Sequence, residues 1–277
     1  HTIRAYKNDL MQFYNSNYDN VESYIEELTQ SNIKTNTLRR KIACIKVFYN
    51  YLKYQHIIEE NPFNQLRFQF RTEKILPKTI PYDILKNIFS YLEQRVVISK
   101  TDYQKQKAER NLLIISLLLS TGIRISELCH IHLKDINLSN KTLHIIGKGK
   151  KERILFLGDQ TTFNLLETYI NKNGKESNDF LFPGKHSPKP LSEQSVRLIL
   201  KRIVEQNGLS KTITPHMFRH SFATMLLDND VDIRYIQQIL GHSSISITQI
   251  YTHVSHSKQK EILSSFNPMS VIHSEIE

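Results

Sequence analysis

The chain has 277 residues, enough for one large domain or two modest ones with a real apolar core. Lysine and arginine number 37 against 27 acidic residues, and the net charge of +10 favours a polyanionic partner over an acidic small substrate. The longest apolar run, Leu112 to Leu119, is too short to span a bilayer, and the sequence shows no signal peptide and no zinc-ligand spacing. Membrane-spanning, secreted and zinc-binding classes are set aside.

Residues 1 to 75 read as all helix. Ile3, Tyr6, Leu10, Phe13 and Tyr14 form one apolar stripe, and Val21, Tyr24, Ile25 and Leu28 a second. A third, longer helix over 37–54 points Leu38, Ile42, Ile45, Phe48, Tyr49 and Leu52 at the core. The same helix carries Arg39, Arg40, Lys41 and Lys46, and Asn61-Pro62 ends the segment that follows. Cys44 and Cys129 have apolar flanks and read as buried thiols, which suits a reducing, cytosolic setting. The first residue is His rather than Met, so further residues are expected before it.

Arg71 to Pro81, with two prolines and three cations, reads as a linker. An amphipathic helix follows over 82–98, and the polar stretch Ser99 to Arg110 reads as a loop or a helix extension. Leu112 to Leu119 is a buried helix broken at Thr121-Gly122. Arg124 then opens the next helix, where Glu127 can reach back to the helix start or to Arg124. Strands are predicted over 142–146 and 153–157, with Gly147-Lys148-Gly149-Lys150 as the hairpin tip. Helices over 160–172 and 192–205 flank a short apolar piece, Phe180 to Pro183.

Thr214-Pro215 starts another helix, on which His216 and Arg219 share one face. A helical period over Asp230 to Leu240 stops at Gly241, with His242 just beyond, and a last short helix carries Tyr251. The apolar tail, with Ile262, Leu263, Phe266, Met269, Val271 and Ile272, either folds back on its own domain or packs elsewhere. Arginine and histidine gathered beside one tyrosine suit an anion attacked by a phenolate, and a phosphodiester is such an anion. Its five-coordinate transition state spreads charge over oxygens that arginine forks match.

His216-x-x-Arg219, Gly241-His242 and Tyr251 resemble the second box of the tyrosine recombinases, the phage-integrase and Xer family. Ser120-Thr-Gly-Ile-Arg124-Ile-Ser-Glu127-Leu resembles the first box, and Gly147-Lys148-Gly149-Lys-Lys-Glu-Arg153 the lysine hairpin. The resemblance implies a mostly α fold. Residues 1–75 would be a helical core-binding domain, and 76–277 a mixed α+β catalytic domain with a small antiparallel sheet and a C-terminal tail. It implies catalysis by Arg124, Lys148, His216, Arg219, His242 and Tyr251, with DNA contacts from Arg40, Lys46, Lys150 and Lys151.

The reaction so implied cuts and rejoins DNA through a 3′-phosphotyrosyl intermediate and a Holliday junction, with no cofactor and no metal. Implied partners are double-stranded DNA with inverted core sites, a homo-tetramer joined by tail exchange, and a possible accessory protein, all in the bacterial cytoplasm or nucleoid. The role would be that of a mobile-element resolvase or integrase, or an Xer-type dimer resolvase. The extra N-terminal arm-binding domain of larger phage integrases is not expected, unless the residues before His1 contain it. Two other readings stand beside this one: a type IB topoisomerase-like nicking and resealing enzyme, and a DNA-binding protein whose site is unused. Taken singly, Arg124 could be an ion-pair partner of Glu127, the hairpin lysines a solvated turn, and Tyr251 a core aromatic. His220 and His253 match no catalytic position. Asp228, Asp230 and Asp232 read as helix-capping residues.

Overall fold

The computed structural model describes residues 2–16, 18, 20–66, 78–147, 152–173, 176, 179–185, 188–209, 212–241 and 256–274. The chain divides into two compact units, His1–Leu76 and Pro77–Glu277.

In the first unit α1 (Thr2–Tyr14), α2 (Val21–Gln30) and α3 (Thr35–Tyr54) form a small bundle. The Asn20 side chain caps α2 by accepting from the Ser23 N–H at 2.8 Å. Val21, Tyr24, Ile25 and Leu28 of α2 pack on Leu38, Ile42 and Ile45 of α3, with Phe63 against them. The stripe read on α1 is corrected at its ends, since Ile3 and Tyr14 are exposed, while Asp9 is buried. The physical reason is an ion pair. Asp9 meets Arg40 and, at 3.4 Å, Lys41 of α3, and Lys41 also bonds Gln12. A buried carboxylate holds its place only when paired, so α1 docks partly by charge.

The second unit is built on α5 (Asp102–Thr121), whose residues Leu112 to Leu119 are all buried. It packs against α4 (Tyr82–Val97), α7 (Gln160–Asn173) and α9 (Pro215–Asp228). The charged stretch before Leu112 is a helix extension rather than a loop. Thr101 caps it by accepting from the Gln104 N–H at 3.2 Å, and the buried Glu109 pairs with Lys172 at 2.8 Å. Gly122 ends α5 in the left-handed region at φ +60°. A Cβ there would lie 2.6 Å from the Phe222 ring and 2.7 Å from Leu240, so close packing and backbone shape both demand glycine.

The short α6 (Ile125–Cys129) follows, then an antiparallel sheet in the order β1 (Ile136–Asn137), β2 (Thr142–Ile146), β3 (Glu152–Phe156). Ile146 faces Glu152 across the hairpin, and residues 148–151 between the strands lie outside the described residues. Leu143, Ile145, Leu155 and Leu157 enter the core from the sheet. Ser192 caps α8 (Glu193–Gln206), and Asp232 caps α10 (Ile233–Leu240) by accepting from the Arg234 N–H at 2.8 Å.

The tail forms α11 (His256–Ser265) and α12 (Pro268–Ser274). In the single chain it folds back on its own unit, burying Ile262, Leu263, Met269 and Ile272, while Phe266 stays exposed. Asn267 donates to the Ser120 carbonyl at 3.1 Å, and Ser270 donates to Asp159 at 3.0 Å. Both cysteines are free and buried, and burial pushes the Cys129 thiol up to about 12. Among the described residues no helix is long and apolar enough to cross a membrane.

Candidate active site

Three arginines from three different elements meet the C-terminal end of α10. The last carbonyls of a helix lack intrahelical partners and carry the negative end of its dipole. Arg153 on β3 donates from Nε to the Ile239 carbonyl at 3.2 Å. Arg219 on α9 donates from Nη2 to the Leu240 carbonyl at 2.7 Å. Arg124, at the start of α6, donates from Nη2 to the Gly241 carbonyl at 3.4 Å. Three successive carbonyls thus gather residues that lie far apart in the chain. Gly241 turns the backbone at φ +65°, and a Cβ on it would sit 3.0 Å from Arg153 Cδ.

The position of Arg124 follows from the break at Gly122, and its orientation from Glu127. One Glu127 oxygen accepts from the Arg124 backbone N–H at 3.0 Å, and the other accepts from Arg124 Nη1 at 2.9 Å. Both alternatives open to Glu127 in the sequence are therefore realised at once. Arg153 grips the same carboxylate as a fork, with Nη1 at 3.0 Å from one oxygen and Nη2 at 2.7 Å from the other. Burial is the largest influence on Glu127 and would raise its pKa. Hydrogen bonds and charge from Arg153, then bonds from Arg124, outweigh it and hold the carboxyl below the usual range.

Arg219 is buried, and its second bond runs from Nη1 to the Gly122 carbonyl at 2.7 Å. It thereby ties the break after α5 to the end of α10. Burial, followed by the charge of Arg124, lowers its pKa to about 10, so the guanidinium stays cationic at neutral pH. Pro215 occupies the first turn of α9, as its fixed φ suits. Thr214 takes the cap position with extended backbone, but its side chain makes no capping hydrogen bond. His216 is exposed one turn before Arg219. His220 lies near both, and burial, then His216, then Arg219 lower its pKa.

Of the residues singled out in the sequence, Arg124 and Arg219 are thus brought to one helix end, while His216 lies exposed on α9 one turn before Arg219. Lys148, Lys150, Lys151, His242 and Tyr251 lie outside the described residues. In the first unit Lys46 is exposed on α3, whereas Arg40 is engaged with Asp9 and donates to the Ala5 carbonyl at 3.5 Å. The sequence reading gave no role to Arg153. A signal existed, because Arg153 shares strand parity with Leu155 and Leu157, which puts a charge on the core-facing side of β3.

The Phage integrase family profile matches residues 89–258, and the phage integrase N-terminal SAM-like domain matches residues 1–56. The chain belongs to the phage integrase family. A tyrosine recombinase of Agathobacter rectalis is 49% identical over 98% of this chain and 92% of that protein. Tyrosine recombinase XerC of Bacillus subtilis is 33% identical, over 92% of this chain and 83% of its own length. Among solved structures, the XerH recombinase bound to difH in a pre-cleavage complex has a TM-score of 0.67 at 22% identity, covering 95% of this chain and 78% of that one. The Tn1549 transposon integrase with transposon right end DNA has a TM-score of 0.65 at 21% identity, covering 94% and 92%. These two likenesses establish the fold, a mostly helical tyrosine recombinase with a small antiparallel sheet. This tyrosine recombinase is a site-specific DNA breaking and rejoining enzyme.

Proposed function

We propose that this recombinase cuts DNA with Tyr251 and holds the scissile phosphate on Arg124 and Arg219. The observation that carries the reading is the convergence of the two guanidiniums on the adjacent carbonyls of Leu240 and Gly241, immediately before His242 in the chain. The carbonyls do not neutralise the arginines, and the one carboxylate, Glu127, is shared by Arg124 and Arg153, so the three guanidiniums keep positive charge for an anion.

Tyr251 carries the attack. A free tyrosine has a pKa of about 10, so forming the phenolate at neutral pH costs about 4 kcal/mol without help from neighbours. The Tyr251 oxygen bonds to phosphorus while the bond to the 5′ oxygen breaks, and Lys148 supplies a proton to that leaving oxygen. His242 joins the arginines on the phosphate. His216 either takes the phenol proton or bonds the phosphate. The product is a 3′-phosphotyrosyl enzyme and a free 5′-hydroxyl. Because the ester energy is kept, a 5′-hydroxyl from a second duplex reseals the strand, and two such exchanges pass through a Holliday junction.

The partners follow from the same reading: a duplex with inverted core sites, and a tetramer in which the apolar tail leaves its own unit for that of a neighbour. An accessory protein and a cytoplasmic or nucleoid location belong to it too. Residues 1–75 act as the core-binding domain and 76–277 as the catalytic domain. Lys46, Lys150 and Lys151 meet phosphates, and Arg40 does so only by sharing its guanidinium with Asp9. The XerC relatives and the Tn1549 likeness support a role in dimer resolution or in mobile-element resolution or integration.

A nicked suicide duplex carrying the cognate site tests the reading. Wild type is expected to give a covalent protein–DNA band on a denaturing gel, and Tyr251→Phe none. A band of equal strength from Tyr251→Phe would reject Tyr251 as the nucleophile.

A further inference from the structure

We propose that Arg153 is a positioning residue for strand cleavage, orienting Arg124 through their shared carboxylate, Glu127. The inference rests on the reading of Arg124 as a phosphate ligand.

The geometry is a three-part chain. Arg153 is fixed first, by its Nε bond to the Ile239 carbonyl at 3.2 Å and by packing of its side chain against Gly241. Its two terminal nitrogens then grip both Glu127 oxygens, at 3.0 and 2.7 Å. Glu127 is buried, so its carboxylate has little freedom to turn. The lone pairs left on those oxygens take the Arg124 backbone N–H and Arg124 Nη1, at 3.0 and 2.9 Å. Arg124 itself is 35% exposed, which leaves part of its guanidinium open to a phosphate.

Without Arg153, Glu127 keeps only the adjacent Arg124 as a bonded cation in the described network. A buried carboxylate with one cation draws that cation onto itself, because unpaired charge in low dielectric is costly. Arg124 would then spend its fork on Glu127 rather than on phosphate. Lysine cannot replace Arg153. A single ammonium does not span both carboxylate oxygens while also reaching the Ile239 carbonyl.

A purely structural arginine would also matter, but differently. It would lower the folded fraction or DNA affinity whatever stands at position 124. The decisive experiment is a double-mutant cycle on single-turnover cleavage of the suicide duplex, with protein saturating by gel shift and folding checked by thermal melting. The variants are Arg153→Gln, Arg124→Lys and the two combined, and the mild Arg124 change keeps the rates measurable. Arg153→Gln is expected to slow cleavage about 10- to 100-fold. In the Arg124→Lys background the same change should cost less than about 3-fold, because the fork it orients is already gone. If the two costs multiply instead, Arg153 acts independently of Arg124 and the proposal falls. If Arg124→Lys alone cuts at the wild-type rate, the phosphate-ligand reading fails first, and the two failures are told apart. Should Arg153→Gln not fold, Arg153→Lys serves in the same cycle. It is expected to stay slow, and wild-type speed from Arg153→Lys would overturn the fork argument.

Discussion

Asp9 in the first unit and Glu127 in the second have side chains that are each 4% exposed, and each is met by two cations. Asp9 has Arg40 and Lys41, which leaves a surplus of one positive charge. Glu127 has Arg124 and Arg153, and Arg219 adds a third guanidinium beside them, a surplus of two. The further partners differ as well. Around Asp9 they are Gln12 and the Ala5 carbonyl, inside the face where α1 meets α3. Around Glu127 they are the Ile239, Leu240, Gly241 and Gly122 carbonyls, which gather four segments at one helix end. The same pair chemistry therefore does two jobs. One cluster docks a helix, and the other concentrates uncompensated positive charge where an anion can collect it.

The sharpest way to break this contrast is Arg219→Ala. It is expected to slow single-turnover cleavage by about 10²- to 10³-fold, as for loss of one preorganised donor. It also leaves the Gly122 and Leu240 carbonyls without this donor, at about 1–3 kcal/mol for each in buried surroundings, readable by urea unfolding. Unchanged cleavage would make Arg219 merely a brace.

Glu127→Gln comes next. Removing the carboxylate from beneath two arginines should cost about 3–5 kcal/mol of stability at neutral pH. The Glu127 pKa is lower in the folded state than in the unfolded one. Its contribution is therefore complete above the unfolded carboxylate pKa of about 4.3 and is lost as pH falls through the lower folded value. The stability gap between wild type and Glu127→Gln should narrow in strong acid. A gap that is constant down to pH 2 would remove the electrostatic account.

Asp9→Asn sharpens the other half. It should destabilise the N-terminal unit by about 1–3 kcal/mol, seen by thermal melting, and leave the cleavage rate of the preformed complex at wild type. A cleavage defect as large as that of Arg153→Gln would erase the distinction between the two clusters. The smallest effect is expected for Lys46→Gln, with a modest loss of DNA affinity and a salt-dependence slope shallower by about one. An unaltered slope would take Lys46 off the phosphates.

The elements were legible in the sequence because their signals are local. The buried run Leu112 to Leu119, the stop at Gly122, the strand 142–146 and the helix that begins near 192 all lie where pattern and turn chemistry put them. The α1 stripe failed at its ends because periodicity counts apolar residues and does not weigh a buried ion pair such as Asp9 with Arg40. Ser99 to Arg110 stayed undecided because its helix depends on a cap at Thr101 and on Lys172, more than sixty positions beyond Glu109. The tail had two open fates, and in the single chain it takes the one that buries Met269 and Ile272 on its own unit.

The sequence by itself determined the residue types of the site, their order and the helix ends that carry them, since boxes, caps and glycine stops are read within a few residues. Only the tertiary structure decided that Arg124, Arg153 and Arg219 share one helix end, and that a single carboxylate links two of them. Those contacts join positions separated by 26 residues for Glu127 with Arg153 and by 117 for Arg124 with Gly241. Separations of that length carry no periodic signal. They are set by how the core packs α5, α9 and the sheet around α10, and that packing brings the charges together.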